Sequence, residues 1–327
     1  MKAIVYHNYG APDVLKCEEI EKPTAGDHEV LIKVRAASVN PLDWRFMRGR
    51  PYIIRIMSGL RKPKDARTGH DVAGQVEAIG RSVTQFKPGD EVFGSCNGSF
   101  AEYACASESE LVIKPDNVTF EQAASAPVAA FTALQGLRDK GQIQPGQKVL
   151  INGAAGGVGT FAVQIAKWFG ADVTGVCSTR NVDMVRSLGA DQVIDYTRED
   201  FTKRGRRYDL VFDCIGNHSL SACRRVLNSN GAFIIVGGPD GRWIGPMASP
   251  FKAIVLSRFV SQKFVTVMSR SVKDDLTIIC ELMATGKITP VIDRRYRLSE
   301  VPEAIRYLEE GHARGKVVIT LEDNNEI

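Results

Sequence analysis

The sequence predicts an α/β protein in which a β-rich domain is joined to a domain with a doubly wound parallel sheet. Two observations support this fold class. Before Thr119 the chain holds short strand-like runs separated by turn signals. From Lys148 onward, apolar strands alternate with helical segments, as in a sheet that helices cover on both faces. We place the first domain at 1–124 and 267–327 and the second at 125–266.

The first domain is predicted from alternating runs that end at turns. These runs are AIVYH, EVLIKVRAASV, GQVEAIG, DEVFGS and FAEYACAS, with GAPD, TAGD and KPGD among the turns. Helical spacing then covers EQAASAPVAAFTALQGLRDKG, and Pro145 with Gly146 predicts where it stops.

The second domain is predicted from strands and helices that alternate. Strands are expected at KVLING, DVTGVCS, QVIDY, YDLVFDCIG and GAFIIVGG, and helices at GTFAVQIAKWFG, NVDMVRSLG and Ser219–Leu227. Later come a helix at Asp274–Thr285, a strand near Tyr296, a helix at Val301–Glu310 and the strand KVVITL, which we expect to return to the first domain. GAFIIVGG is expected at an exposed sheet edge, where pairing across a two-fold axis would form a homodimer.

Composition narrows the functional classes. The chain has 327 residues, 44% hydrophobic and 24% charged, and a net charge of +4 that by itself does not favour nucleic acid as a partner. Its seven scattered cysteines form no C-x-x-C pair and are typical of reduced intracellular thiols. MKAIVYHNYG lacks the apolar core of a signal peptide, and no apolar run reaches the length of a membrane span. We therefore expect a cytoplasmic protein.

The stretch GAAGGVG lies between the strand KVLIN and the helix TFAVQIAKWFG. Glycines at such a junction permit a tight turn and let a pyrophosphate approach the positive end of the helix. The alternative is a helix-packing turn in another α/β fold, but the strand-turn-helix context favours a dinucleotide site. The candidate cofactor-binding residues are Gly153, Ala154, Ala155, Gly156, Gly157, Val158 and Gly159.

The end of the next strand indicates which dinucleotide binds. NAD enzymes usually place a carboxylate there, whereas this strand ends in Cys177-Ser178-Thr179-Arg180. Ser178 and Arg180 would accept the 2′-phosphate of NADPH. The alternative for Arg180 is simple solvation at a helix start. The sequence therefore predicts NADPH as the cofactor.

Several motifs together resemble one known superfamily. GHDVAGQVEAIG, KPGDEVFG, AAGGVG and GKVVITL are similar to the medium-chain dehydrogenase/reductase superfamily, and AAGGVG with VNPLD resembles its zinc-independent, zeta-crystallin-like quinone oxidoreductase branch. The resemblance covers nearly the whole chain. It implies an enzyme with a GroES-like catalytic domain and a Rossmann NADPH-binding domain.

The resemblance also implies that no metal is bound. Zinc members of the superfamily use Cys, His and Cys, and the matching positions here hold Asn40, His70 and Val128. Valine cannot bind a metal, so a tetrahedral site with three protein ligands cannot be built. Without a Lewis acid, activated acceptors such as quinones and α,β-unsaturated carbonyls are favoured over simple alcohols or ketones.

Catalytic roles follow from the same correspondence. Asn40 would hydrogen-bond the acceptor carbonyl or the cofactor ribose, and Thr132 would orient the nicotinamide. His70 would donate a proton, or else be a hydrogen-bonded structural residue. Substrate-binding candidates are Asp43, Trp44 and Tyr52, the two aromatics as flat walls or as ordinary packing. Further cofactor contacts implied by the resemblance are Tyr196, Gly216, Gly237 and Lys316.

The sequence thus predicts an NADPH-dependent, zinc-independent reductase of quinones or enones. The alternatives are an enoyl-thioester reductase, or an NADPH-sensing or RNA-binding protein of the same fold. The basic stretch Arg45–Arg67 is interpreted as a solvated loop beside the active site, with a substrate cover or an anionic surface as alternatives. The segment 250–275 is expected to pack over the substrate pocket or a partner subunit, with a membrane interface as the alternative.

Overall fold

The structure is a computed structural model that describes residues 1–237 and 261–321. It divides into two compact units, Met1–Val128 with Ser271–Ile327, and Ala129–Arg270. The predicted domain boundaries lie four residues before the observed ones. The first unit is β-rich and the second contains a parallel sheet, which confirms the predicted α/β class.

The first unit contains two sheets. In the smaller sheet, β1 (Lys2–Val5) pairs antiparallel with β2 (Lys16–Glu19). The path through the larger sheet is β14 (Ile292–Arg297), β15 (Lys316–Thr320), β3 (Glu29–Val39), β4 (Asp71–Ile79), β5 (Glu91–Ser95) and β7 (Leu111–Ile113), while β6 (Tyr103–Ser107) also pairs with β3. The last strand lies between β14 and β3, so it returns to the first unit as predicted.

Helices border the larger sheet. Those of the first unit are α1 (Pro41–Arg48), α2 (Ile54–Ser58), α3 (Phe120–Ala124), α8 (Lys273–Ala284) and α9 (Val301–Glu309). The prediction of a loop at Arg45–Arg67 is wrong at α1 and α2. The carboxylate of Asp43 accepts a hydrogen bond from the backbone N–H of Asn40 at 2.7 Å and so closes the first turn of α1. Pro41 starts this helix without needing a donor.

The single helix predicted after Thr119 is two helices. It breaks between α3 and α4 (Pro127–Gln135) because a proline cannot continue a helix that precedes it. A π-type turn, Gly136–Lys140, extends α4, so the helical path ends before Pro145.

In the described residues, the second unit contains a sheet of six parallel strands. Their order is β10 (Gln192–Asp195), β9 (Asp172–Cys177), β8 (Lys148–Asn152), β11 (Tyr208–Asp213), β12 (Leu227–Ile235) and β13 (Lys263–Thr266). The helices described between them are α5 (Gly157–Trp168), α6 (Val182–Ser187) and α7 (Leu220–Arg225). β8, β9 and β11 are buried almost throughout, as expected for the middle of a parallel sheet.

The expectation that GAFIIVGG forms an exposed edge is wrong. β12 pairs in parallel with β13, from Ala232 opposite Lys263 to Ile235 opposite Thr266. The short strand β13 comes after the point where the alternating sequence pattern ends, which is why it was not predicted. It occupies the edge position that the sequence assigned to β12.

None of the described helices combines the length and the apolar character needed to cross a bilayer. The predicted apolar and basic segment 250–275 falls partly outside the described residues, which resume at residue 261.

Gly94 lies where β5 and β7 of the first unit approach each other closely. A Cβ there would lie 1.9 Å from the backbone oxygen of Glu110, so Gly94→Ala must push β5 away from β7. We expect the free energy of unfolding to fall by about 2 kcal/mol or more, measured by urea denaturation. Ser95→Ala in the same strand is the control and should change it by less than about 0.5 kcal/mol.

Candidate active site

The glycine-rich turn joins β8 to α5 in the second unit. Gly153 has a φ of 84°, in the left-handed region that glycine tolerates best. A Cβ on Gly159 would lie 2.1 Å from the oxygen of Gly153, so this position requires glycine for the helix to pack on the turn. A Cβ on Gly156 would find only that oxygen, at 3.5 Å, so the fold itself leaves space there.

The turn offers donors suited to a pyrophosphate. The N–H groups of Gly153 and Ala154 bond the oxygen of Val176, which ties the turn to β9. Among the described residues, the N–H groups of Ala155, Gly157 and Val158 have no protein acceptor. They lie at the start of a twelve-residue helix, α5, whose positive end favours an anion. The predicted turn residues therefore fit the phosphates of a dinucleotide.

Asp213 organises the neighbouring strand ends, and sequence reasoning missed it. Its carboxylate accepts hydrogen bonds from Asn152 Nδ2 at 2.8 Å and from the N–H groups of Ile215 and Gly216, both at 3.0 Å. The same aspartate accepts, through its backbone oxygen, the N–H of Gly237 at 3.1 Å. The sequence feature that could have indicated Asp213 is its position as a carboxylate at the end of the apolar run YDLVFD.

Gly216 and Gly237 lie at the carboxyl ends of β11 and β12. Gly216 has a φ of 72°, and a Cβ on Gly237 would lie 1.9 Å from the oxygen of Cys214. Both glycines are therefore needed to bring these strand ends together. Their predicted contact with the cofactor stays a prediction.

Ser178, Arg180 and Tyr196 lie at the ends of two paired strands. β9 and β10 are in register with Cys177 opposite Asp195, and the N–H of Tyr196 bonds the oxygen of Cys177 at 3.0 Å. The ring of Tyr196 is 57% exposed. The parallel pairing thus brings three predicted cofactor residues together at the carboxyl ends of β9 and β10.

A carboxylate close to this group was not predicted. Asp195 accepts hydrogen bonds from the hydroxyls of Thr179 and Thr197, at 2.5 Å and 2.8 Å. These bonds, that of Thr179 first, lower the pKa of Asp195. The carboxylate of Asp195 is therefore already hydrogen-bonded to two hydroxyl groups.

Thr132 lies on α4, within the second unit. Its Oγ1 is 3.0 Å from Ser269 Oγ, and either hydroxyl can donate. Three residues later on the helix, Gln135 bonds the backbone of Arg270 through both ends of its amide. The helix is therefore fastened to the segment after β13, and the role of Thr132 toward nicotinamide stays a prediction.

A fully buried carboxylate, Asp71, is the centre of the polar group in the first unit. It accepts hydrogen bonds from Ser38 Oγ at 2.6 Å, Asn40 Nδ2 at 2.8 Å and the N–H of Val128 at 3.0 Å. Lys316 Nζ lies 3.4 Å from Asp71 Oδ2 and 2.5 Å from Asn40 Oδ1. The carboxylate is therefore paired with a buried cation and three further donors, as a buried charge requires.

Lys316 lies inside this group. Burial lowers the pKa of its ammonium group, and the negative charges of Asp71 and Asp43 oppose that change. Both polar atoms of the Asn40 amide also have protein partners. The predicted contacts of Lys316 with the cofactor and of Asn40 with an acceptor stay predictions, and the structure shows both side chains holding Asp71.

His70 and Asp43 form a second pair beside the first. His70 Nδ1 lies 2.7 Å from Asp43 Oδ1, while Asp43 Oδ2 accepts the N–H of Asn40. Asp43 is fully buried, whereas the His70 side chain is 27% exposed. Burial lowers the pKa of His70, but the bond to Asp43 and the charges of Asp43 and Asp71 outweigh it, so the net pKa is raised.

The predicted aromatic residues lie in the first unit. Trp44 is half-buried against the core of β1, α1 and α9, and the guanidinium of Arg45 lies 5.3 Å from the centre of its ring. The ring of Tyr52 stacks on the guanidinium of Arg55 at 4.9 Å. Neither contact tests the proposal that these rings bind substrate.

The positions of the zinc ligands do not fit a metal. Asn40 is held by Lys316 and Asp71, and Val128 contributes only its backbone N–H, which bonds Asp71. His70 is the one metal-binding side chain at the three positions. Across residues 1–237 and 261–321, no group of three or more His, Cys, Asp or Glu side chains could hold a metal ion.

Comparison with known proteins places the chain in a family. The patterns described as "Alcohol dehydrogenase GroES-like domain" and "Zinc-binding dehydrogenase" match residues 26–116 and 188–319. The chain is 36% identical over 335 residues to "Quinone-oxidoreductase QR1, chloroplastic" of Triphysaria versicolor, covering 98% of each protein. The chain belongs to the quinone oxidoreductase family of the medium-chain dehydrogenase/reductase superfamily.

Two further relatives agree with this assignment. The chain is 36% identical to "NADPH-dependent alkenal/one oxidoreductase, chloroplastic" of Arabidopsis thaliana, over 98% of this chain and 79% of that protein. The solved quinone oxidoreductase of Coxiella burnetii superposes with a TM-score of 0.87 at 31% identity, covering 98% of this chain and 99% of that one. The chain is therefore an oxidoreductase of this superfamily.

Substitution of Gly156 should weaken cofactor binding without affecting folding. In Gly156→Ala the added methyl meets only ordinary contacts in the protein but occupies space that a pyrophosphate needs. We expect the Kd for NADPH, measured by fluorescence titration, to rise on the order of tenfold. The melting temperature without cofactor should stay within about 2 °C of the wild type.

Gly159→Ala is the matched comparison for this test. Its methyl would clash with the backbone of Gly153, so both the melting temperature and NADPH affinity should fall. Equal effects of the two substitutions on stability would contradict the assignment of Gly156.

Lys316→Met tests the buried ion pair. The substitution keeps an apolar stem but leaves the Asp71 carboxylate without its cation. We expect the free energy of unfolding to fall by about 3 kcal/mol in urea. Lys203→Met is the control because the Lys203 side chain is 81% exposed, and it should change stability by less than about 0.5 kcal/mol.

Proposed function

We propose that this quinone oxidoreductase reduces quinones or α,β-unsaturated carbonyl compounds without a metal, and that His70 supplies the proton that completes the reduction. The observation that carries the proposal is the pair formed by His70 and the buried carboxylate of Asp43. When bound, NADPH supplies a hydride from its nicotinamide ring. Hydride and one proton together convert a quinone to a hydroquinone, or an enone to a saturated carbonyl.

Asp43 fixes the state in which His70 acts. An ionised carboxylate only accepts hydrogen bonds, so His70 Nδ1 carries the hydrogen of the 2.7 Å contact. The other ring nitrogen, Nε2, is then the one that gains and loses a proton. The raised pKa keeps a larger share of His70 protonated near neutral pH. Solvent reprotonates the partly exposed ring after each turnover.

Asn40 is proposed to position this pair. Its backbone N–H holds the second oxygen of Asp43 at 2.7 Å, and its amide bridges Lys316 and Asp71. It would act on the reaction through Asp43 and His70. Thr132 is proposed to orient the nicotinamide, and Trp44 and Tyr52 to form apolar walls for a flat acceptor.

The preference for NADPH is proposed to rest on the edge formed by Ser178, Arg180 and Tyr196. A guanidinium and a hydroxyl suit a 2′-phosphate, and the exposed Tyr196 ring can stack on adenine. Asp195 lies nearby, but its carboxylate already accepts two threonine hydroxyls. Arg180→Ala is expected to weaken binding of NADPH much more than binding of NADH.

Two properties of the whole protein are also proposed. We propose a homodimer formed through β13 (Lys263–Thr266), because it is an edge strand of the six-stranded sheet in the described residues. A monomer in light scattering would contradict this.

We propose a cytoplasmic location because all seven cysteines are free thiols, which suits a reducing compartment. Cell fractionation tests this proposal.

The reaction is tested by following NADPH oxidation with purified protein. Acceptors are 1,4-benzoquinone, 9,10-phenanthrenequinone, an alkenal, an enoyl thioester and a simple ketone, each repeated with NADH. We expect turnover of quinones or the alkenal with NADPH and none of the ketone, because no metal polarises an unactivated carbonyl. Turnover of the ketone at a comparable rate, or of the thioester alone, would contradict the proposal.

The role of His70 is tested by the pH dependence of kcat/KM for the alkenal. In the wild type kcat/KM should fall as pH rises through the raised pKa of His70, because the donor loses its proton. His70→Gln should remove this fall and lower kcat/KM on the order of 100-fold. Asp43→Asn should shift the fall to lower pH, because the carboxylate raises that pKa.

Exposed His28 supplies the control for this experiment. His28→Gln should retain the wild-type profile, and the melting temperature of each variant shows whether it folds. An unchanged pH profile in a folded His70→Gln protein would rule out His70 as the proton donor.

A further inference from the structure

An apolar stripe faces solvent at α2 and its flanks. It consists of Ile53, Ile56, Met57 and Leu60, which are 52%, 66%, 77% and 72% exposed. Ile53, Ile56 and Met57 have the i, i+3, i+4 spacing of one helical face, and Leu60 follows Gly59, where the helix ends. In a surface helix this face normally packs on the core. Here the apolar face points outward.

The backbone beneath the apolar stripe is held in place by polar contacts. Tyr9 Oη donates to the oxygen of Gly59 at 2.6 Å and lies 2.8 Å from Ser58 Oγ. The guanidinium of Arg55 lies 4.5 Å from the Tyr9 ring centre and 4.9 Å from that of Tyr52. The polar groups of α2 and its flanks thus contact the protein, and the four apolar side chains remain exposed on the other side.

Positive charge surrounds the apolar stripe. Arg61, Lys62 and Lys64 are exposed directly after it, and Arg50 precedes it. The sequence holds no Asp or Glu from residue 44 to residue 64. The next acid, Asp65, accepts two hydrogen bonds from the guanidinium of Arg67. The stripe therefore has a basic border and no acidic residue within it.

We propose that the apolar stripe and its basic border dock on the surface of an anionic lipid bilayer. Apolar side chains on one helical face insert at the boundary of headgroups and acyl chains, while lysines and arginines meet lipid phosphates and carboxylates. The helix has only five residues, so the stripe suits shallow insertion better than a stable protein interface of roughly 800 Å² per partner. The proposal is independent of the role proposed for His70.

The test measures sedimentation of the full-length protein with vesicles. One set is phosphatidylcholine alone, and the other contains phosphatidylserine as well. We expect the wild type to bind the anionic vesicles, less at high salt because screening weakens the basic contacts, and to bind the neutral vesicles weakly.

Two variants separate the apolar and the charged contributions. Ile56→Ser with Met57→Ser should lower the partition coefficient on the order of 100-fold, since two largely exposed apolar side chains are lost from the interface. Arg61→Gln with Lys62→Gln should lower it about tenfold or more and reduce its salt dependence. All four side chains are exposed, so folding should be unaffected, which circular dichroism checks.

Matched controls change exposed residues elsewhere. Met268→Ser with Ile113→Ser removes side chains that are 85% and 49% exposed. Arg186→Gln with Lys203→Gln removes two exposed charges. Both controls should bind anionic vesicles like the wild type.

Three outcomes would overturn the proposal. The first is no binding of the wild type to anionic vesicles. The second is equal loss of binding in the stripe variants and the controls. The third is a raised KM for an apolar quinone in Ile56→Ser with Met57→Ser while its vesicle binding stays at the wild-type level, which would make the apolar stripe a cover for the acceptor.

Discussion

The buried carboxylate of Asp71 is the constraint on which the first unit depends. A charge with no access to water must be compensated within the protein, or it costs several kcal/mol. The donors come from far apart in the chain: Ser38 and Asn40 at the end of β3, Val128 at the start of α4, and Lys316 at the start of β15. Satisfying Asp71 therefore fixes the places of all these elements.

The same constraint sets the position of the neighbouring histidine. Once Asn40 is held by Asp71 and Lys316, its backbone N–H fixes one oxygen of Asp43. The other oxygen then orients His70, whose ring stays partly exposed. Two of the three positions that match zinc ligands of the superfamily, Asn40 and Val128, thus hold residues that bond Asp71 instead.

In the second unit, strand ends rather than a charge pair set the geometry. Parallel strands end at one edge of the sheet, and there Asp213 gathers the N–H groups of Ile215 and Gly216 with the amide of Asn152. Gly153 and Gly237 allow backbone segments to approach where a side chain would collide. The edge is thus shaped before a cofactor binds, which limits the ordering that binding requires.

The sequence alone determined the fold class, the order of most elements, the glycine-rich turn and the family, because these depend on local periodicity and on short motifs. It did not determine that β13 pairs with β12 at the edge of the sheet, since a four-residue strand leaves little periodic signal. Nor did it show that Lys316 joins Asp71 or that the apolar stripe faces solvent. Only the tertiary structure decided these, because pairing between distant residues and the direction of a helical face depend on what packs around them.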